Sequence, residues 1–379
     1  MDFRPTEAEQ ITRQSIREFA EREIAPHVTE WDEAEAFGPE LQPKLAALGL
    51  FGMQFPARYG GAELSAVEYC IIIEELARVD PAVALMVAAH NGLAASHIAR
   101  FGSDTQRERW LGPLARGEML GAWALTEPDA GSDAAALRAR AVRDGDGWLL
   151  NGTKSFTTHA GIAGLTVVMA VTEPARGQRG ISAFVVEAGA PGLSAGRKEK
   201  KLGMRASTTA ETRLDDCRVP AESLLGREGY GFVNAMQVLD AGRIGISALA
   251  VGLAQGAFEA ARRHAKQRRQ FGKPLTAFQA IQWKLADLAT AIDASRLLTY
   301  RAAYEQDQGH ATTRESSIAK LHSSETAVRA AEECVQIYGG YGFVRDYPAE
   351  KFFRDVKLLT IGEGTSEIQR LVIARHYLS

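Results

Sequence analysis

Apolar positions in the first part of the chain recur at helical intervals, and the period changes twice before the end. Thr6 can cap a run whose apolar positions Ile11, Ile16, Phe19 and Ile24 return to one helix face, with Pro26 as its expected stop. Leu41–Leu48 continues the pattern and halts at Gly49. Val67–Val79 and Val83–Phe101 follow, rich in Ala, Ile and Leu and separated by Asp80-Pro81, and Trp110–Leu114 closes the segment. From about Gly121 the runs shorten. GWLLNGTKSFTT, LTVVMAVTE, GISAFVVEAG and TAETRLDDCRV are β-branched and aromatic, with Gly, Pro and Asp between them, as strands with turns are. After LLGREGYG the helical period returns over Phe232–Gln270, Ala277–Gln308, Thr313–Tyr338 and Thr365–Tyr377. Four antiparallel helices joined by short loops would bury such stripes as a bundle. The pattern predicts an α+β multidomain chain: a helical domain over 1–120, a β domain over 121–229 and a C-terminal helical bundle over 230–379.

A chain of 379 residues exceeds one ordinary core, which agrees with two or three domains. The formal net charge of -3 disfavours a nucleic-acid partner, which usually selects a basic excess. Cys70, Cys217 and Cys334 are far apart and form no metal-ligand spacing with histidine, so they read as thiols in a reducing compartment. The N-terminal stretch MDFRPTEAEQITRQ lacks the apolar core of a secretion signal. The apolar runs around Ala82–Ala89 and Ile244–Leu253 read as too short or interrupted to cross a bilayer. The expectation is a soluble cytoplasmic protein with no membrane partner.

No GxGxxG after a strand, Walker loop, HExxH or GxSxG occurs. Five other segments stand out. WALTEPDAGSD (Trp123–Asp133) gathers small polar residues at the junction of the helical and β segments, where ligands often bind, although taken alone a capped turn is the commoner explanation. NGTKSFTTHA begins with Asn151-Gly152, a hairpin signal, and continues with ordinary strand residues. RRQFGKPLTAFQ (Arg268–Gln279) places arginines at a helix end, where they suit either a phosphate or the helix dipole. QIYGGYGF (Gln336–Phe343) holds three glycines, which permit close approach by a ligand or simply stop a helix. In TIGEGTSEIQR, Glu363 lies between Gly362 and Gly364, and Thr365 or Ser366 can cap the final helix with Glu367 in its first turn. A solvated loop glutamate is the bland alternative.

Together these segments, in this order, resemble the acyl-CoA dehydrogenase family over essentially the whole chain. WALTEPDAGSD, KLGMRAS, LDDCRVP, LDAGRIGI and IYGGYGFVRDYPAEKFFRD leading into IGEGTSEIQR carry the resemblance. It implies an N-terminal helical domain, a β-barrel-like middle domain and a four-helix bundle. It also implies FAD-dependent α,β-dehydrogenation of an acyl-CoA thioester in fatty acid β-oxidation, with electron-transfer flavoprotein as acceptor and a homotetrameric assembly. By matching motifs, FAD would contact Trp123, Leu125, Thr126, Gly131, Ser132, Phe156, Thr157 and Thr158. From a neighbouring subunit it would meet Arg268, Phe271, Gln279, Gln336, Gly339 and Gly340, and from its own Thr365, Ser366 and Glu367. The acyl-CoA would meet Ser132, Asp240, Gly242, Arg243 and Gly364, with Glu363 as catalytic base. Many members carry tyrosine at Gly362 and tryptophan at Phe156. Branches resembling isovaleryl enzymes supply the base from the position of Gly242, which glycine cannot do. DAGRIGI is most similar to the short-chain branch, and pocket depth is expected to depend on Val83–Leu93. Rival readings are an acyl-CoA oxidase that passes electrons to oxygen, and a non-catalytic or DNA-associated member.

Overall fold

The computed structural model describes residues 4–378. Helix α1 (Glu7–Phe19) starts where Thr6 and Glu9 form a reciprocal capping box, Glu9 N–H donating to Thr6 Oγ1 and Thr6 N–H to the Glu9 carboxylate. Ile16, Phe19 and Ile24 are buried as their spacing requires, but Ile11 lies exposed on the other side. Pro26 does not stop the run. It falls at the start of a single 3-10 turn, where its missing N–H costs no hydrogen bond, and the chain coils on through Val28–Ala34. Helix α2 (Ala66–Val79) opens on a second capping box, at Ser65 and Glu68, and α3 (Pro81–Ala89) on an Asp80 cap. Beyond α3 the coil continues, first as a π-helical stretch, His90–Ala95, and then as Ser96–Phe101.

The middle segment forms one mixed sheet of eight strands: β1 (Gly121–Ala124), β2 (Arg140–Asp144), β3 (Gly147–Thr158), β4 (Leu165–Val171), β5 (Ile181–Glu187), β6 (Leu193–Lys198), β7 (Thr209–Pro220) and β8 (Leu224–Leu225). Six of the seven β4 residues are buried, because Leu165, Val167 and Met169 face the helices while Val168 and Ala170 face a second core against β2, β3 and β7. A strand covered on both faces needs a continuous apolar run, which is how LTVVMAV reads. Asn151-Gly152 is not a hairpin turn. It lies inside β3 at a register shift against β7, where Asn151 exchanges two hydrogen bonds with Asp216, and the turn comes earlier, between Asp144 and Gly147.

Helices α4 (Gly231–Gln267), α5 (Gln279–Asp307), α6 (Thr313–Tyr338) and α7 (Ser366–Leu378) make the C-terminal bundle. α4 ends three residues before the predicted boundary because Arg269-Gln270 pair with Lys273-Pro274 around a turn at Phe271-Gly272. The connection from α6 to α7 is not a short loop but a folded segment carrying the helix Ala349–Asp355. The N-terminal helices and the bundle share one hydrophobic core, built around α4 where it packs on α2, α5 and α6. The stretches Pro81–Phe101 and Gly231–Gln267 are in fact long and apolar enough to cross a membrane, contrary to the reading of their runs as too short. Both are packed inside the protein, with 78% and 83% of their most apolar 18-residue windows buried.

Candidate functional site

Glu363 lies in the turn before α7 with φ +52°, and Gly364 follows with φ +94°. A glutamate in the left-handed region is uncommon and marks a turn held by its surroundings. What holds it are the buried Lys320, whose Nζ donates to the Gly364 carbonyl at 2.7 Å, and Gln369, whose Nε2 donates to the same oxygen at 2.9 Å and to the Glu363 carbonyl at 3.3 Å. Thr365 Oγ1 accepts the Ile368 N–H and caps α7, while Ser366 Oγ is enclosed without a hydrogen-bond partner among the described residues.

The turn aims the carboxylate into the protein. The residue as a whole is half-buried, but Oε2 is fully enclosed and has no hydrogen-bond partner among the described residues. It rests against α4 at Gly242, where an added Cβ would stand 2.5 Å from Oε2 and 3.2 Å from a Leu93 methyl. Burial raises the Glu363 pKa to about 7, although the charges of Arg243 and Lys320 oppose the rise. Lys320 forms no ion pair among the described residues; burial lowers it to about 8, with Glu363 acting against that shift. Arg243 is buried and donates to Asp240 at 2.6 Å, and Asp240 in turn accepts the Thr313 hydroxyl.

The β-domain motifs meet each other nearby. Lys154, fully buried in β3, donates to the Leu125 carbonyl at 3.1 Å and to Glu127 at 2.7 Å, and Glu127 also accepts the backbone N–H groups of Arg138 and Ala139. A buried charge pair of this kind fixes the Trp123–Ser132 loop against β3, and the Ser155 N–H to Thr126 carbonyl bond does the same from the backbone. Leu125 is buried, Thr126 half-buried, and Gly131 and Ser132 exposed. Phe156 sits at a bulge with φ +55° and is 65% exposed; Thr157 Oγ1 is enclosed with no partner among the described residues, and Thr158 is half-buried. A bare aromatic ring beside a hydroxyl with unused hydrogen-bonding capacity suits a flat, polar cofactor such as FAD.

The stretch His90–Ala95 joins these two regions. The Gly121 N–H donates to His90 Nδ1, and the Gly121 carbonyl accepts from His159 Nδ1. On its other side, Gly92 and Leu93 press against α4 at Gly242. Neither this π-helical bridge nor Lys154, Lys320 and Gln369 was found from the sequence. The only signal was KSFTT and SEIQ lying inside motifs already singled out.

The remaining predicted residues lie elsewhere. Arg268, Gly339 and Gly340 line a separate cleft of ≈ 680 Å³ with His264, Tyr338 and Tyr341, and the Arg268 guanidinium stacks 5.2 Å over the Tyr341 ring. Phe271, Gln279, Gln336 and Glu367 are exposed. Arg268 ends the same helix that carries Gly242, and 1.5 Å per residue separates them by roughly 39 Å. One ligand cannot touch both ends within a single subunit.

Comparison with known proteins decides the family. Three acyl-CoA dehydrogenase family models match in series: the N-terminal domain over residues 6–118, the middle domain over 122–217 and the C-terminal domain over 229–378. The chain belongs to the acyl-CoA dehydrogenase family. It is 45% identical, over 99% of both chains, to the short-chain-specific acyl-CoA dehydrogenase of Clostridium acetobutylicum. The butyryl-CoA dehydrogenase of Megasphaera elsdenii superposes with a TM-score of 0.98 at 42% identity, covering 100% of both chains. A chain in a structure of the electron transferring flavoprotein of Acidaminococcus fermentans, described in connection with flavin-based electron bifurcation, gives 0.98 at 43% identity with the same coverage. As a family member the protein is an FAD-dependent oxidoreductase of the three-domain fold, similar to short-chain and butyryl-CoA enzymes.

Proposed function

We propose that the protein dehydrogenates short acyl-CoA thioesters to trans-2-enoyl-CoA, with Glu363 as the base. The observation that carries this reading is a carboxylate whose Oε2 is enclosed with no hydrogen-bond partner among the described residues and whose pKa is raised to about 7, where a general base works best. The proton α to a thioester carbonyl is far less acidic than a glutamic acid, so its removal needs donors on the carbonyl oxygen as enolate-like charge develops. The Glu363 backbone N–H supports that role, since it is given to no acceptor among the described residues. The carboxylate takes the α-proton while the β-carbon loses hydride, leaving a carbon–carbon double bond. Bound FAD is the acceptor of that hydride.

The remaining assignments follow from the same reading. Phe156, Thr157 and Thr158, with the Trp123–Ser132 loop, would hold the flavin ring, and Thr365 and Ser366 would meet the cofactor from the bundle side. Arg243 and Asp240 would orient the acyl-CoA. Arg268, too far along α4 for its own subunit's site, would reach the cofactor of a second subunit together with Gly339 and Gly340, which share its cleft, and this supports a homotetramer. Exposed apolar residues on the bundle, Trp283, Leu297, Phe271 and Leu371 among them, fit such an assembly. The likeness to a chain solved in an electron transferring flavoprotein study supports that protein as electron acceptor.

The decisive experiment is Glu363→Gln. Purified with its FAD, the variant should retain the cofactor and lose anaerobic flavin bleaching by butyryl-CoA. Bleaching at the wild-type rate would overturn the assignment.

A further inference from the structure

Tyr69, on α2, belongs to no motif considered so far. It is 3% exposed, and its hydroxyl makes no hydrogen bond among the described residues. Two glycines make room for it. A Cβ on Gly245 would stand 2.4 Å from the Tyr69 hydroxyl, and one on Gly92 would stand 3.7 Å from it. The phenol end therefore lies in the wedge between the π-helical stretch His90–Ala95 and α4. Gly92 also approaches the Cα of Gly242, at 3.6 Å from its Cβ position, so the wedge is the one in which Glu363 Oε2 rests on Gly242. Burial keeps the phenol protonated, with the charges of Cys70 and Glu363 adding to the effect.

Gly242 and Gly245 are three residues apart on one helix, about 4.5 Å along its axis. A thioester whose α-carbon meets Glu363 points its tail along this wedge, and the tyrosine stands within one helical turn of the base. Building on the base assignment, we infer that Tyr69 is the floor of the acyl pocket and restricts the enzyme to short chains. The residue acts on chain length through volume: a longer tail must displace a buried ring wedged between α4 and the His90–Ala95 stretch, and a packed interior yields little.

The test is anaerobic flavin bleaching of the FAD-loaded protein by butyryl-CoA and octanoyl-CoA. The wild type should favour butyryl-CoA. Tyr69→Ala should raise the octanoyl-to-butyryl ratio of kcat/KM by at least about tenfold, the scale on which pocket volume discriminates methylenes, and Tyr69→Phe, which keeps the ring, should keep the wild-type order. An unchanged ratio in folded Tyr69→Ala, with butyryl-CoA still bleaching the wild type, overturns this inference and leaves the base assignment standing. No bleaching of the wild type by either ester removes both. Should Tyr69→Ala not fold, the wild type decides the matter through binding of S-butyl- and S-octyl-CoA thioethers, read from the flavin spectrum. Octyl binding no tighter than butyl supports the floor, and octyl binding more than about tenfold tighter, as freely buried methylenes would give, overturns it.

Discussion

The carboxylate of Glu363 occupies the space that a side chain at Gly242 would fill, with only 2.5 Å between Oε2 and the missing Cβ. The two residues are 121 positions apart, yet each defines the other: glycine at 242 is the seat of that carboxylate.

Gly242→Ala should therefore displace the proposed base without dismantling the fold. Both groups that the new methyl meets, the Glu363 carboxylate and a Leu93 methyl, are free ends of side chains and can move. FAD content and Tm should stay near wild type, while flavin reduction by butyryl-CoA slows about a hundredfold, the usual cost of misplacing a catalytic group by an ångström. Stopped-flow bleaching measures it. A wild-type rate would show that the carboxylate need not sit where it does.

The rate should also follow the ionisation of Glu363. With its pKa raised to about 7, the base is protonated and idle on the acid side, so kcat/KM should rise through neutral pH with a single proton limb. Lys320 contributes a buried positive charge that favours the carboxylate. Removing it as Lys320→Met should move that limb to higher pH, and Gln369 still holds the Gly364 carbonyl in the variant. A limb that moves to lower pH, or not at all, would contradict the coupling.

Acid should loosen the junction of the helical and β domains. Burial lowers the pKa of His90 and His97 to about 3 and that of His159 to about 4, so all three are neutral in the folded protein at pH 7. The unfolded chain takes up protons near pH 6.5, the folded one only below about 4. Their contribution to stability is therefore intact above pH 6.5 and is lost as pH falls toward the folded values, with a slope of roughly 4 kcal/mol per pH unit for the three together. Because His97 accepts the Trp123 indole N–H and His90 holds Gly121, FAD release should accompany unfolding. Fluorescence of released flavin against pH reads this directly. His97→Gln, which keeps an acceptor but does not titrate, should move the midpoint to lower pH.

What was legible in the sequence was whatever a local pattern records. The Thr313–Tyr338 helix is found at its predicted ends because its apolar stripe and the Gly339 break are both in the segment itself. The apolar run of β4 likewise marks a strand covered on both faces. Local signals failed where they have two solutions. Asn151-Gly152 suits a hairpin or a bulge, and only the pairing of β3 with β7 selects the bulge. Pro26 suits a stop or a first turn, and packing of the following Trp31 into the core selects the turn.

The sequence by itself determined the three-part order of elements and, through its motifs, the family and the identity of the acid at 363. It could not supply that acid's chemistry. A carboxyl group titrates near neutrality only when water is removed and charges are set around it, and here Gly242, Arg243, Leu93 and Lys320 surround it from helices far away in the chain. Periodicity records which face of a helix is buried, not what it is buried against. The tertiary structure decided that.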